Sequence, residues 1–152
     1  MPNEIFPVIA KQDGLGPGFV VRKKILADIG YYDERMGPSA DNELFMRLGA
    51  KHPMFFSTTP HTTWRLHSDN LTHKWKLIDQ TKDGLKILKK IFFDYNLPLE
   101  LIKYSNETYI SFYSKVLNNV RFLLNQGDWK TAQKILSILS KEDIIPSEIE
   151  YK

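Results

Sequence analysis

The chain of 152 residues contains no cysteine. Without thiols it can form neither a disulfide nor a thiolate-held metal site, so a disulfide-stabilised domain and a structural zinc site of that kind are excluded. It also has no run of about eighteen apolar residues, the minimum for a membrane-spanning helix. The N-terminus, Met1 to Glu4, lacks the basic and then apolar layout of a signal peptide. We therefore expect a soluble, cytoplasmic protein.

Two sequence signals of nucleotide or nucleic-acid binding are also absent. The formal net charge is only +3, and the lysines are mostly dispersed among acidic residues, so no nucleic-acid partner is expected. No Gly-x-x-x-x-Gly-Lys phosphate loop occurs. The four histidines include no His-x-x-x-His pair of the kind that binds zinc on a helix. With 42% hydrophobic residues, the composition is that of an ordinary globular domain.

The pattern of the chain changes near residue 75, which predicts two regions, 1–75 and 76–152. The first begins with a glycine-rich loop, Asp13 to Gly18, and continues into a short buried strand, Phe19–Val21. Apolar spacing then predicts a helix over Lys23–Ile29, which Gly30 ends. A second helix, capped by Ser39, should run to just before Pro53. Two further strands are predicted at Met54–Phe56 and Thr62–Trp64.

The second region is helical in pattern almost throughout. One amphipathic helix is expected from about Leu77 to before Asn96, a second from about Leu99 to Asn125, and a third from Trp129 to Leu139. Asp143 to Lys152 should be a short helical turn or frayed. The core of this bundle is expected to include the following apolar residues: Ile91, Phe92, Phe112, Leu117, Phe122 and Leu136. These helices should pack on the first region and cover its strands.

Four sequence blocks occur in a fixed order in the first region: Phe19 to Leu26, Ile29 to Glu34, Ala40 to Leu48, and Trp64 to His67. This order resembles the C-terminal half of family-2 glycosyltransferases of the GT-A fold. In that family a Gly-aromatic-Asp/Glu turn precedes a helix that starts Glu-Asp-x-Glu-Leu-x-x-Arg, and an aromatic-Arg-x-His segment follows. The resemblance covers about residues 15–75. It implies an α+β fold, with a partial GT-A type α/β layer followed by the helical region.

The resemblance places the catalytic base of an inverting sugar transfer at Asp41. Such a reaction needs a carboxylate that takes the proton of the acceptor hydroxyl as this hydroxyl attacks the anomeric carbon. The alternative is that Asp41 only stabilises the positive end of its helix, as any Asp in a first turn does. Ala40 departs from the family, which usually has Glu there, and this puts sugar or acceptor preference in doubt.

The same resemblance assigns donor-side roles to Arg65 and His67. A guanidinium at 65 could bind diphosphate oxygens in a bidentate fork, and an imidazole at 67 could approach a divalent metal, Mn²⁺ or Mg²⁺. On a strand the two side chains would face the same side. The alternatives are an interior arginine paired with Asp33 or Glu34, and a strand-end histidine bonded to a neighbour.

The remaining candidates concern the acceptor and the helix face. Gly18, where the backbone can approach a ligand, and Trp64, whose ring could stack on a sugar, are the predicted acceptor-binding residues. Trp64, Tyr31 and Tyr32 are more often core residues in such positions. The four-residue spacing of Glu43 and Arg47 predicts an ion pair on an exposed helix face. The alternative is that Arg47 reaches inward and holds the loop of Asp41 or the strand beneath it.

The chain lacks the nucleotide-binding half with its Asp-x-Asp metal motif, which would require on the order of a hundred residues. We therefore expect a C-terminal part of a longer enzyme that transfers sugar from a nucleotide-sugar to a glycan or lipid-linked acceptor. The isolated chain should be inactive and should bind no metal tightly. The helical region could form a homodimer, and its helix with Lys82, Lys86, Lys89 and Lys90 could contact a membrane surface, although a solvated lysine face is commoner. The alternative function is a non-catalytic helical protein-interaction module.

Overall fold

The computed structural model describes residues 5–11, 18–55, 57, 59–70 and 75–142, and every regular element in these ranges is helical. The α-helices are α1 (Phe6–Lys11), α2 (Lys23–Ile29), α3 (Ala40–Lys51), α4 (Leu77–Lys89), α5 (Leu99–Ile102), α6 (Ser105–Asn125) and α7 (Trp129–Leu139). A 3₁₀ segment, Glu34–Ser39, leads directly into α3, and a π turn, Lys90–Asp94, extends α4.

The predicted α+β fold class is therefore wrong for the described residues. Phe19–Val21, Met54 with Phe55, and Thr62–Trp64 are not strands, and Phe56 lies outside the described residues. A strand requires a partner for its backbone, but no backbone hydrogen bond joins Phe19–Val21 or Met54 and Phe55 to another described residue. Apolar and β-branched composition favours a strand only where such a partner is present.

The helices follow the predicted apolar periodicity closely. The observed α2 has the predicted bounds, and α3, α4 and α7 lie where they were expected. The single predicted helix over Leu99–Asn125 is interrupted, because α5 ends at Ile102 and a turn precedes Ser105. The helix α1 was not predicted, although Phe6 and Ile9 are both buried. Asp143 to Lys152 and Asp13 to Pro17, with the predicted turn and most of the predicted loop, lie outside the described residues.

The main hydrophobic core is built from helices on both sides of residue 75. It contains Phe6 of α1, Leu44 and Phe45 of α3, Ile91 of the π turn and Tyr109 of α6, each at most 1% exposed. Burial of one such side chain contributes about 1.5–3 kcal/mol. Helix α3 packs mainly against α1 and the 3₁₀ segment, which precede it, and less extensively against the π turn that follows it. A smaller cluster between α6 and α7 includes Val116, Val120, Leu123, Ala132 and Ile135.

The predicted helical core was only partly right. Ile91 and Phe92 are buried, whereas Leu117, Phe122 and Leu136 are each more than two fifths exposed. Gly84 allows α4 and α6 to approach closely, since a Cβ there would lie 2.3 Å from the Phe112 ring. Among the described helices, none combines the length and the apolar character that a membrane crossing requires.

Candidate functional site

The turn after α2 is set by a glycine in a conformation that other residues rarely adopt. Gly30 has φ +90°, and the chain then runs through Tyr31 and Tyr32 to Asp33, which precedes the 3₁₀ segment. The Asp33 carboxylate accepts a hydrogen bond from the Arg35 amide at 3.1 Å, and so caps that segment. The sequence after Gly30 is thus directed towards the start of α3.

Arg47 fixes this turn by donating hydrogen bonds to the backbone carbonyl groups of the turn. Its Nη1 donates to the carbonyl oxygens of Ile29 at 2.6 Å and Gly30 at 3.0 Å, and its Nη2 donates to that of Tyr31 at 2.8 Å. Arg47 is 4% exposed. A planar guanidinium with several fixed donors is suited to bind consecutive acceptors in this way. The turn and α3 therefore form one mechanical unit.

Glu43 neutralises the buried guanidinium. Its Oε1 accepts from Arg47 Nε and its Oε2 accepts from Arg47 Nη2, both at 2.7 Å. The predicted ion pair is present, but Glu43 is 0% exposed, so the pair is buried and not on an exposed helix face. Arg47 reaches inward as in the alternative, but it holds the turn at Ile29–Tyr31 and not the loop of Asp41 or a strand. A buried charge that loses its partner is strongly destabilising, so replacing either Glu43 or Arg47 alone should destabilise the fold.

A second ion cluster lies at the other end of the turn. Arg35 donates from Nε and Nη2 to the two Asp33 carboxylate oxygens, each at 2.8 Å. The Lys90 ammonium lies 2.7 Å from Asp33 Oδ2 and 2.6 Å from Glu43 Oε1. The hydrogen bonds from Arg35, which have the larger effect, and from Lys90 hold the pKa of Asp33 well below its usual range.

Sequence reasoning missed Lys90 as a site residue. It was expected on a lysine face together with Lys82, Lys86 and Lys89, yet its side chain is only 22% exposed and is paired with two carboxylates. Asp33 and Lys90 are 57 residues apart. The available signal was weak: Lys90 is the lysine directly before the apolar pair Ile91 and Phe92.

Asp41 lies in the first turn of α3 and is exposed to solvent. Its Oδ1 accepts a hydrogen bond from the Asn42 amide at 2.7 Å. Ser39, the expected cap, makes no side-chain capping bond and is buried. An exposed carboxylate beside a helix N-terminus is compatible both with a base and with a residue that stabilises the helix end, so the role of Asp41 stays a prediction.

The tyrosines of the turn are not core residues. Tyr31 is 57% exposed and Tyr32 is 48% exposed, although the Tyr31 carbonyl is bound by Arg47. Their position follows from the turn: its backbone faces Arg47, while the side chains extend into solvent. The core interpretation of both residues is therefore wrong.

Trp64, Arg65 and His67 lie on an irregular, exposed segment. Trp64 is 57% exposed, which contradicts its interpretation as core. The Arg65 carbonyl accepts from the Asn70 side chain at 3.0 Å, but no hydrogen bond or ion pair of its guanidinium is found among the described residues. Pairing of Arg65 with Asp33 is wrong, since Arg35 and Lys90 bind that carboxylate. Without a strand, the argument that Arg65 and His67 face the same side also loses its basis.

Gly18, the first residue of the described range 18–55, lies against Thr62 of the segment that precedes Trp64. It has φ +100°, and a Cβ at this position would lie 2.2 Å from the Thr62 side chain. The next residue, Phe19, packs its ring edge-on against Phe45 of α3, with centroids 4.6 Å apart. The positive φ and the close approach to Thr62 both favour glycine at position 18, while its predicted role towards an acceptor stays a prediction.

Two cavities adjoin α3. A groove of about 640 Å³ near its C-terminus is lined by Gly18, Phe19, Arg22, His52 and His61, among others. A smaller one of about 70 Å³ lies beside Asn42 and is lined by Ile9, Met46, Gly84, Phe112 and Lys115, among others. Of the predicted site residues Gly18 lines the larger groove, and Asp41 is the sequence neighbour of a residue in the smaller one.

The described residues do not by themselves fit the expected divalent metal. No group of three or more His, Asp or Glu side chains in this part of the chain is arranged to hold an ion. His67 is exposed. We therefore derive no step of a reaction through a metal.

Compared with known proteins, the chain matches no family model, and no curated protein or solved structure is significantly similar to it.

Proposed function

We propose that this chain carries the acceptor side of an inverting nucleotide-sugar glycosyltransferase of the cytoplasm, with Asp41 as the base. The observation that supports this proposal most is the binding of three consecutive carbonyl groups, those of Ile29, Gly30 and Tyr31, by Arg47. It gives the two most specific sequence blocks, the Gly-aromatic-Asp turn and the Asp-x-Glu-Leu-x-x-Arg helix, a shared structural purpose.

That purpose is to attach the turn with its two exposed tyrosines to the helix that carries the exposed Asp41 carboxylate. Asp41 is accessible, as a base that meets an acceptor hydroxyl must be, and a backbone amide binds one of its oxygens. Tyr31 and Tyr32 belong to the turn that is tied to the same helix, and their exposed rings are suited to stack on the apolar face of a sugar. A glycan or lipid-linked glycan is the proposed acceptor.

The proposed step is a single displacement. The acceptor oxygen forms a bond to the anomeric carbon as its proton passes to Asp41. The bond from that carbon to the nucleotide diphosphate breaks on the opposite face, and the diphosphate leaves with the electron pair, so the configuration inverts. Arg65 is the candidate to bind diphosphate oxygens, and Gly18 and Trp64 are the candidates to contact the acceptor.

The proposal is tested by turnover of nucleotide-sugar donors in the natural full-length protein. Asp41→Asn should lower kcat at least about hundredfold, since general base catalysis contributes about 10²–10⁴-fold. Asp79→Asn is the matched control, because Asp79 is also an exposed aspartate in the first turn of a helix, α4. It should leave kcat unchanged.

Two outcomes would contradict the base role. Unchanged turnover in Asp41→Asn removes Asp41 from the mechanism. An equal, small loss in both variants assigns Asp41 to stabilisation of the helix end, which is worth only about 0.3–1 kcal/mol.

A second candidate function, a helical protein-interaction module, is favoured by the apolar side chains on the outside of the α6–α7 hairpin. Phe122 is 60% exposed and Trp129 is 68% exposed. Such surfaces mark interaction sites when they are contiguous. Absence of any donor turnover in the natural protein, with Asp41 intact, would favour this candidate over the transferase.

A further inference from the structure

Lys90 contacts two carboxylates that belong to different elements. It is the first residue of the π turn, and its ammonium lies 2.7 Å from Asp33 Oδ2 and 2.6 Å from Glu43 Oε1. An ammonium has three donors, so it can serve both acceptors at once. π turns inside helices are rare and often occur at functional positions.

The two carboxylates bracket the segment that carries Asp41. Asp33 precedes the 3₁₀ segment, Glu43 lies in the first turn of α3, and Asp41 lies between them. Lys90 therefore holds both ends of segment 33–43 from one point on the helical region. We infer that Lys90 is a positioning residue that fixes the Asp41 segment, an inference that rests on the proposed function for its catalytic consequence.

Local pairs alone do not supply this link. Arg35 binds Asp33 from two residues away, and Arg47 binds Glu43 from four residues away, so each pair stabilises its own element. Lys90 joins the two pairs through a contact that spans 57 residues of sequence. Its loss would leave each carboxylate with an arginine, and the fold would survive. Lys86 would still donate to the Arg35 carbonyl, but no single side chain would then join Asp33 to Glu43.

The structural part of this inference is tested by amide hydrogen exchange on the present chain. The probes are the Arg35 amide, bonded to the Asp33 carboxylate, and the Met36 amide, bonded to the Asp33 carbonyl. Lys90→Met should accelerate exchange at both by about tenfold, the effect of losing charge-assisted bonds in a locally opening unit. Lys90→Arg should restore slow exchange, and Lys82→Met, at an exposed lysine of α4, should behave as wild type.

Asp33→Asn provides a second variant that breaks the same contact from the other side. Asp33→Asn also removes the local Arg35 pair, so Arg35→Met, which removes only that pair, is measured beside it. If circular dichroism shows that Lys90→Met does not fold, the inference is decided by the Met36 amide, which should exchange about tenfold faster in Asp33→Asn than in Arg35→Met. Wild-type exchange in a folded Lys90→Met, or, where that variant does not fold, equal exchange in Asp33→Asn and Arg35→Met, would overturn the inference.

The catalytic part is tested in the natural full-length protein. Lys90→Met should lower kcat about tenfold with an unchanged donor KM, and Lys90→Arg should restore most of the kcat. A Lys90→Met enzyme with wild-type kcat, in a protein that Asp41→Asn inactivates, would overturn the positioning role. If Asp41→Asn has no effect, the proposed function fails, while the exchange result on Lys90 still stands or falls separately.

Discussion

Segments 29–47 and 53–67 carry equally suggestive sequence blocks, but they are held in the structure in different ways. In the first, Arg47 binds three carbonyl groups and Glu43, and Lys90 binds both Asp33 and Glu43. In the second, Phe55 is 98% exposed and Trp64 is 57% exposed. The comparison teaches that a sequence block has a fixed conformation where its buried charged side chains are paired with opposite charges and with backbone carbonyl groups. Exposed apolar side chains do not fix a conformation in this way.

The strongest way to break this comparison is to remove the central guanidinium. Arg47→Met leaves Glu43, which is 0% exposed, with Lys90 alone, and it leaves the three carbonyl groups without their donor. We expect the free energy of unfolding to fall by about 3–5 kcal/mol, as for other buried ion pairs that lose one partner. Urea unfolding followed by circular dichroism measures this change.

The control for that experiment is Arg65, the arginine of the exposed segment 53–67. Arg65 lies in the exposed segment, so Arg65→Met should change the free energy of unfolding by less than about 0.5 kcal/mol. Equal effects of the two substitutions would mean that the two segments are held alike.

A smaller effect is expected from two glycines with positive φ: Gly30, which lies in segment 29–47, and Gly18, which lies against Thr62 of segment 53–67. Gly30→Ala forces a Cβ into a left-handed conformation at φ +90° and places it 3.4 Å from Arg47 Nη1, so it should cost about 1–2 kcal/mol. Gly18→Ala, at φ +100°, should cost less than half as much, although its Cβ would overlap the Thr62 side chain. The backbone of Phe19–Val21 has no backbone hydrogen bond within the described part of the chain, so it can shift to relieve the strain.

Thermal unfolding of both glycine variants measures this difference. A Gly18→Ala protein that is destabilised as much as Gly30→Ala would show that segment 18–22 is as firmly held as the turn after α2.

The smallest effect concerns acid. Because hydrogen bonds from Arg35 and Lys90 lower the pKa of Asp33 in the folded state, its contribution to stability is fully present above its unfolded pKa of about 3.9. That contribution is lost as the pH falls below about 4 towards the lowered folded pKa. The stability difference between wild type and Asp33→Asn should therefore be constant from about pH 5 to 7 and should shrink below pH 4.

Urea midpoints measured from about pH 7 to 2.5 test this pH dependence. Asp94→Asn, at an exposed aspartate of the π turn, is the control and should show little difference from wild type at any pH. A gap for Asp33→Asn that widens on acidification would contradict the assigned direction of the pKa shift.

The helices could be predicted well because an amphipathic helix requires apolar residues at a regular spacing within a short stretch of sequence. Ile25, Leu26 and Ile29 repeat at helical spacing, and Gly30 follows where the helix ends. The strands were predicted from Phe19–Val21 and Thr62–Trp64 on composition alone, and composition does not specify a pairing partner. α1 was missed because its helix has only six residues.

The candidate site was predictable only in its local parts. The four-residue spacing of Glu43 and Arg47 predicts an ion pair, but its burial depends on carbonyl groups 16 to 18 residues upstream. The role of Lys90 depends on a contact across 57 residues, for which the sequence has only the weak signal of a lysine directly before two apolar residues. Asp41 entered through the order of the sequence blocks, and its exposure is the property that the structure adds.

Arg47 binds the turn at Ile29, Gly30 and Tyr31 through main-chain oxygens alone. Every amino acid carries such an oxygen, so replacement of the side chains at 31 and 32 would leave these bonds in place. Gly30 is constrained by its φ angle, while the two neighbouring tyrosines are constrained by neither packing nor the guanidinium. The backbone of the turn is thus fixed independently of the side chains that it exposes. New side chains at 31 and 32 could evolve, or be selected in a library, without a change in helix α3.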